Sequence, residues 1–64
     1  MVNVRELPAV LTAAEVARLF RVNARQPGRW ADEGRLPSFR TPGGHRRFRR
    51  DEVLAALRES AAQR

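Results

Sequence analysis

The chain has 64 residues, a net charge of +6, a pI near 11.8 and no cysteine. A chain of this length makes one domain at most and buries only about 60% of the surface its unfolded form exposes, so its core is small. The missing cysteines exclude a disulfide framework, a thiolate metal site and a thiol nucleophile, and they are compatible with a reducing, cytoplasmic setting. No apolar run approaches the roughly 20 residues of a membrane span. The first residues, Met1 to Pro8, carry an early acid (Glu6) and no long apolar stretch, which is not the pattern of a secretory signal.

The charge is concentrated. Lysine is absent, so every cation counted in the net charge is an arginine, whose planar fork suits bidentate contact with phosphate or guanine. Nine arginines lie between Arg21 and Arg50 against only Asp32 and Glu33, a local excess of seven. The remaining residues hold four arginines against five acids. Such a distribution sets up a directed field that steers a polyanion to one side of the molecule.

Residues 1–10 lack helical periodicity and end in Pro8-Ala9-Val10, the pattern of a loose terminal arm. Leu11-Thr-Ala-Ala-Glu-Val16 is a helix start, with Thr12 as N-cap, Glu15 closing a capping box, and Leu11 and Val16 at the staple positions. The helix is expected over Ala13 to about Phe20, with Val16, Leu19 and Phe20 as its buried stripe. Arg21-Val22-Asn23 forms a short break in which Val22 plugs the corner and Asn23 caps the second helix. Two short helices joined this closely give a helix-turn-helix.

The second helix spans roughly Ala24 to Glu33 and ends at Gly34, the residue type expected just past a helix C-terminus. Trp30 belongs to the core, while Arg25, Gln26 and Arg29 fall on the outward side. Pro27-Gly28 leaves its start open. Either proline interrupts the helix at its fourth position, or regular helix begins at Pro27, where proline is tolerated, after an irregular turn from Asn23 to Gln26.

Two short β-type runs flank Thr41-Pro42-Gly43-Gly44, whose glycine pair can supply the positive φ of a hairpin reversal. In the second run Phe48 points one way with Arg46 and Arg50, while His45, Arg47 and Arg49 point the other. A tip this cationic either lies over an anion or serves as a solvated turn protecting a sheet edge. Its setting in the basic span favours a wing laid along a nucleic-acid backbone. Asp51 then caps a third helix from Glu52 to about Ser60, with Val53, Leu54 and Leu57 as its stripe, and residues 61–64 fray.

Taken together, Leu11-Thr-Ala-Ala-Glu-Val-Ala-Arg-Leu-Phe-Arg-Val22, Arg29-Trp30, Glu33-Gly-Arg-Leu-Pro37, Arg40-Thr-Pro-Gly-Gly-His-Arg-Arg-Phe48 and Asp51-Glu-Val53 resemble the MerR-superfamily DNA-binding domain. The resemblance is nearest to its minimal actinobacterial members of BldC type and to the related excisionases, and it covers residues 11–57. It implies a mainly α fold with a two-stranded β-hairpin, a winged helix-turn-helix of three helices plus wing. The domain would occupy residues 11–60 between the arm (1–10) and the tail (61–64). By position, Arg25, Gln26 and Arg29 match the recognition helix, and Arg40, Thr41, Gly43, Gly44, His45, Arg46 and Arg47 match the wing. Family members usually show a continuous helix-forming run where this chain has Gln26-Pro27-Gly28.

Larger MerR regulators continue into a long dimerising helix and an effector domain, whereas this sequence ends seven residues beyond Leu57. The expectation is therefore a free monomer that binds repeated sites head to tail, with no small-molecule effector, cofactor, metal or membrane partner. Two functions share the same surface: a transcription regulator on promoter repeats, and an excisionase that bends attachment-site DNA beside an integrase. An enzyme is not expected, because His45 is the only histidine, its neighbours are cations, and Ser38 and Ser60 lack a base at credible spacing. A detached DNA-binding piece of a serine recombinase would likewise lack its catalytic part. RNA recognition would call for exposed aromatic platforms, which the sequence does not offer.

Overall fold

Phe48 has no solvent exposure in the computed structural model, which describes residues 7–62. Its strand, β3 (Arg46–Arg49), is the middle of a three-stranded sheet in the order β1-β3-β2, with β1 at Val10–Leu11 and β2 at Phe39–Arg40. Both pairings are antiparallel: Leu11 lies opposite Phe48 and Val10 opposite Arg49, while Phe39 lies opposite Arg47 and Arg40 opposite Arg46. Three helices complete the fold: α1 (Ala13–Phe20), α2 (Gln26–Asp32) and α3 (Arg50–Ala62). The mainly α fold with a hairpin, a small winged helix-turn-helix, is the architecture observed.

The core is a single cluster of Leu11, Val16, Leu36, Phe48 and Val53, on which Leu7, Leu19, Phe20, Trp30 and Ala56 pack. Local chemistry puts α1 where the sequence places it. Glu15 N–H donates to Thr12 Oγ1 at 3.2 Å, and Thr12 N–H donates to Glu15 Oε1 at 2.9 Å, closing the capping box. Leu11 and Val16 are both fully buried beside it, as the staple requires.

Four details depart from the sequence reading. The arm expected over residues 1–10 is docked over its last part: Val10 is in β1, Arg50 N–H donates to Ala9 O, and Arg50 Nη1 donates to Leu7 O. Residues 1–6 lie outside the described residues. Val22 does not plug the corner; it is 37% exposed. The turn is made instead by Arg21 in the left-handed region (φ 57°), with its N–H donating to Arg18 O and Val22 N–H to Ala17 O. These two bonds form the Schellman closure usually built on glycine. Trp30 is half-buried at the rim of the core, where it meets Phe20 edge to face at 5.1 Å.

The fourth detail concerns α3. It starts at Arg50 directly from β3, so Asp51 sits inside the first turn and does not cap it. Asp51 and Glu52 still occupy the positive end of the helix dipole. Val53 is fully buried and Ala56 packs on the core, while Leu54 and Leu57 are half-buried. The helix continues through Ala62, past the start of the expected frayed tail.

Small domains hold roughly 0.05–0.15 kcal/mol of stability per residue, and emptying a buried phenylalanine site costs about 3–5 kcal/mol. Phe48→Ala is therefore expected to lose cooperative unfolding in a urea titration followed by circular dichroism. The two ends of α1 predict opposite signs in the same measurement. Thr12→Ala lowers stability by about 1 kcal/mol through loss of the cap. Arg21→Gly leaves it unchanged or raises it by up to about 1 kcal/mol, by relieving the left-handed backbone.

Candidate nucleic-acid interface

The start of α2 settles the Pro27 question. Asn23 Oδ1 accepts from Arg25 N–H at 2.9 Å and Asn23 O accepts from Gln26 N–H at 2.9 Å, which closes an irregular turn before the helix. Gln26 opens α2 and Pro27 occupies its first turn, where no intrahelical N–H is needed. The second of the two sequence alternatives holds, with helix beginning one residue earlier than Pro27. At the other end Gly34 takes φ 75°, with Gly34 N–H donating to Ala31 O and Arg35 N–H to Trp30 O.

Pro27, Trp30 and Ala31 turn toward the body; Pro27 is buried and the other two are half-buried. Arg25 and Arg29, one i, i+4 step apart, are exposed. Gln26 is half-buried, and together with Asn23, Arg25 and Arg29 it lines one shallow depression. Gly28 and Asp32 stand three residues on from Arg25 and Arg29, so they share the same side of α2. That side is where the helix meets the wing.

The wing is a three-residue loop. Thr41 N–H donates to His45 O at 2.9 Å, Gly44 N–H donates to Thr41 O at 2.8 Å, and His45 N–H donates to Thr41 Oγ1 at 3.3 Å. Pro42 follows Thr41 in the turn, and Gly44 alone of the glycine pair takes positive φ (84°). Gly43 has a different role: a Cβ there would come within 3.3 Å of the His45 ring. Thr41, Gly43 and Gly44 thus shape the tip, while Arg40, Pro42 and His45 expose their side chains there. Arg40 Nη1 donates back to Gly44 O at 3.2 Å.

Arg40 and Arg46 lie directly opposite on the two strands, a like-charge pairing that destabilises a ladder unless one member is neutralised. Arg46 is that member. Its side chain is 21% exposed; Nη1 donates to Gly28 O at 2.6 Å and Nη2 to Asp32 Oδ1 at 2.8 Å. Among the expected site residues it is the one turned onto the body, on the side of β3 shared with Phe48. Arg47 is on the opposite side with Phe39, half-buried, its Nη1 donating to Arg46 O at 2.8 Å. Arg49 stacks over the Phe39 ring at 4.7 Å and lies 3.7 Å from Glu52.

Ion pairing divides the nine arginines of the basic span. Arg35, Arg46, Arg49 and Arg50 each have a carboxylate within 4 Å, on Glu33, Asp32, Glu52 and Asp51. Among the described residues Arg21, Arg25, Arg29, Arg40 and Arg47 have none. Four of these five are sequence-expected site residues from α2 and the wing. The fifth, Arg21, closes the turn after α1 with φ 57° and is not among the site residues the sequence points to. No three histidine, aspartate or glutamate side chains among the described residues come together as a metal site would need, and no described helix is long and apolar enough to cross a membrane.

A family model described as a helix-turn-helix domain matches residues 10–61. No curated protein matches the chain. The match spans both short helices, the wing and nearly all of α3.

Because Gly44 closes the wing with positive φ, Gly44→Ala should cost about 1–2 kcal/mol, felt locally. The Thr41 and His45 amides are expected to lose hydrogen-exchange protection while α1 amides keep theirs.

Proposed function

The chain belongs to this helix-turn-helix family of small DNA-binding domains, of the excisionase and MerR-like type, and from that premise we propose that it is a transcription regulator of BldC type that binds direct repeats in double-stranded DNA. The observation that carries the reading is the division of the arginines. Within the basic span, the arginines without a carboxylate partner among the described residues fall on α2, on the turn before it and on the wing, while Arg35 after α2, Arg46 at the base of the wing, and Arg49 and Arg50 at the start of α3 are paired.

In this reading α2 enters the major groove. Arg25 or Arg29 is suited to the guanine O6/N7 pair and Gln26 to adenine, so these side chains supply direct readout. Arg40 and Arg47, with the Gly43-Gly44-His45 tip, follow the flanking backbone or minor groove and favour DNA that bends or narrows there. Released counterions give most of the salt-dependent affinity. The irregular turn before Pro27 places Arg25 at the mouth of the helix and not within it, which shortens the set of side chains able to reach bases.

The free protein is read as a cytoplasmic monomer that associates head to tail on DNA, through heterologous contacts of the kind that can propagate along the duplex instead of closing. In support, only Val10 and Val22 among the described large hydrophobic residues are exposed, less apolar surface than an obligate dimer interface buries. An excisionase acting with an integrase is the second reading, favoured by the breadth of the matched family and using the same surface. No enzymatic activity, cofactor or effector enters either reading.

Selection of bound duplex from a random pool, followed by footprinting, tests the proposal. The regulator reading expects direct repeats coated by successive copies; an adjacent integrase gene and attachment site would favour the excisionase instead. Arg47→Ala should weaken binding alike on all sequences and flatten the salt slope by about one unit. Arg29→Ala should instead relax preference at one base position, at a cost of about 1–3 kcal/mol. Sedimentation without DNA is expected to give a single species of one chain's mass, and a stable two-fold dimer would overturn the head-to-tail reading.

A further inference from the structure

We propose that Arg46 and Asp32 form a clamp that sets the angle between the wing and α2, so that Arg46 acts as a positioning residue and Asp32 is an acid the DNA-binding side needs. The inference rests on the DNA-binding reading and deepens it.

The two parts of the interface have separate supports. The wing packs through β3 on α1, α3 and β1, whereas α2 packs chiefly on α1. Arg46 spans the gap between them. Its fork takes one acceptor from the α2 backbone, Gly28 O, and one from a side chain a single helical turn further on, Asp32 Oδ1. Two charge-assisted bonds from one rigid guanidinium fix both the distance and the rotation of the helix relative to the strand. A lysine, with a single compact head on a flexible stem, cannot hold both acceptors in that geometry.

Asp32 is otherwise hard to reconcile with its surroundings. It is one of only two acids in the basic span and sits on the same side of α2 as Arg25 and Arg29. There it repels the phosphates those arginines would approach. Its side chain is 70% exposed, so it contributes little to folding stability. An exposed acid facing a polyanion is explicable if it orders the arginine that orders the wing. Gly28 fits the same picture: a Cβ there would meet Arg46 Nη1 at 3.8 Å, an ordinary contact, so the clamp uses the backbone acceptor and not the absence of a side chain.

The sign of one substitution separates the clamp from plain electrostatics. Affinities of wild type, Asp32→Ala, Arg46→Lys, Arg46→Ala and the Asp32→Ala/Arg46→Ala double variant are measured over a salt series. Each is titrated on the duplex obtained by selection and on an unrelated duplex, after circular dichroism has confirmed that each variant is folded. Asp32→Ala is expected to weaken binding to the selected duplex about fivefold, with the salt slope unchanged, although it removes a negative charge. The unrelated duplex is bound as well as before or better. Arg46→Lys, which keeps the charge, shows the same loss, and the double variant is no worse than Arg46→Ala alone.

Tighter binding of both duplexes by Asp32→Ala, or wild-type behaviour of Arg46→Lys, would overturn the clamp while leaving the DNA-binding reading in place. So would a uniform loss in Arg46→Ala with the slope flattened by about one unit, the mark of a direct phosphate contact. Wild-type protein that ignores both duplexes in dilute buffer would remove the DNA-binding reading itself, and the clamp with it.

Discussion

Phe48 against Leu11 is the contact on which the molecule is built. Each ring or branch there is withdrawn from water completely, and the two residues face each other across the β1–β3 pair. Around them Val16 of α1 and Val53 of α3 close the same small cluster, so one strand residue touches the parts that both helices present. In a chain too short for a second layer of core, this centre has to anchor the sheet and the helix pair at once. The wing gains its direction from it, because β3 carries Phe48 at one end and the hairpin turn at the other.

Charge is handled by a second, outer order. The domain gathers nine arginines in thirty residues, which costs self-repulsion in the folded state. Four are quenched by nearby carboxylates, and one of those, Arg49, also lies over Phe39. The unquenched remainder falls on α2, the turn before it, and the wing. A uniformly basic surface would attract nucleic acid without orienting it; partial neutralisation gives the attraction a direction.

Much of this was legible in the chain because it is written in local chemistry. Thr12 and Glu15 mark the start of α1 to the residue, Gly34 marks the end of α2, and Thr41-Pro-Gly-Gly44 marks the wing turn, all through interactions within five residues. What escaped depends on partners far along the chain. Val10 and Leu11 make a strand only because β3 offers a free edge to them. Arg46 looked like another wing cation because alternation gives its side of the strand but not the acid waiting there, fourteen residues away in sequence. Asp51 has the chemistry of a cap, yet the strand runs straight into the helix and leaves no position for one to fill. The corner residue Val22 was misplaced for a related reason: backbone bonds at Arg21 make the turn and leave the valine nothing to plug.

The seam between β3 and α3 has no spacer: Arg49 ends one and Arg50 begins the other. Hairpin and terminal helix consequently behave as a single bent lever, with Phe48 and Val53 as its two pins. A residue inserted at the bend would screw α3 round by about 100° and swing the Val53 pin out of its socket. Length variation among such domains should therefore collect in the wing tip and before β1, and spare this joint.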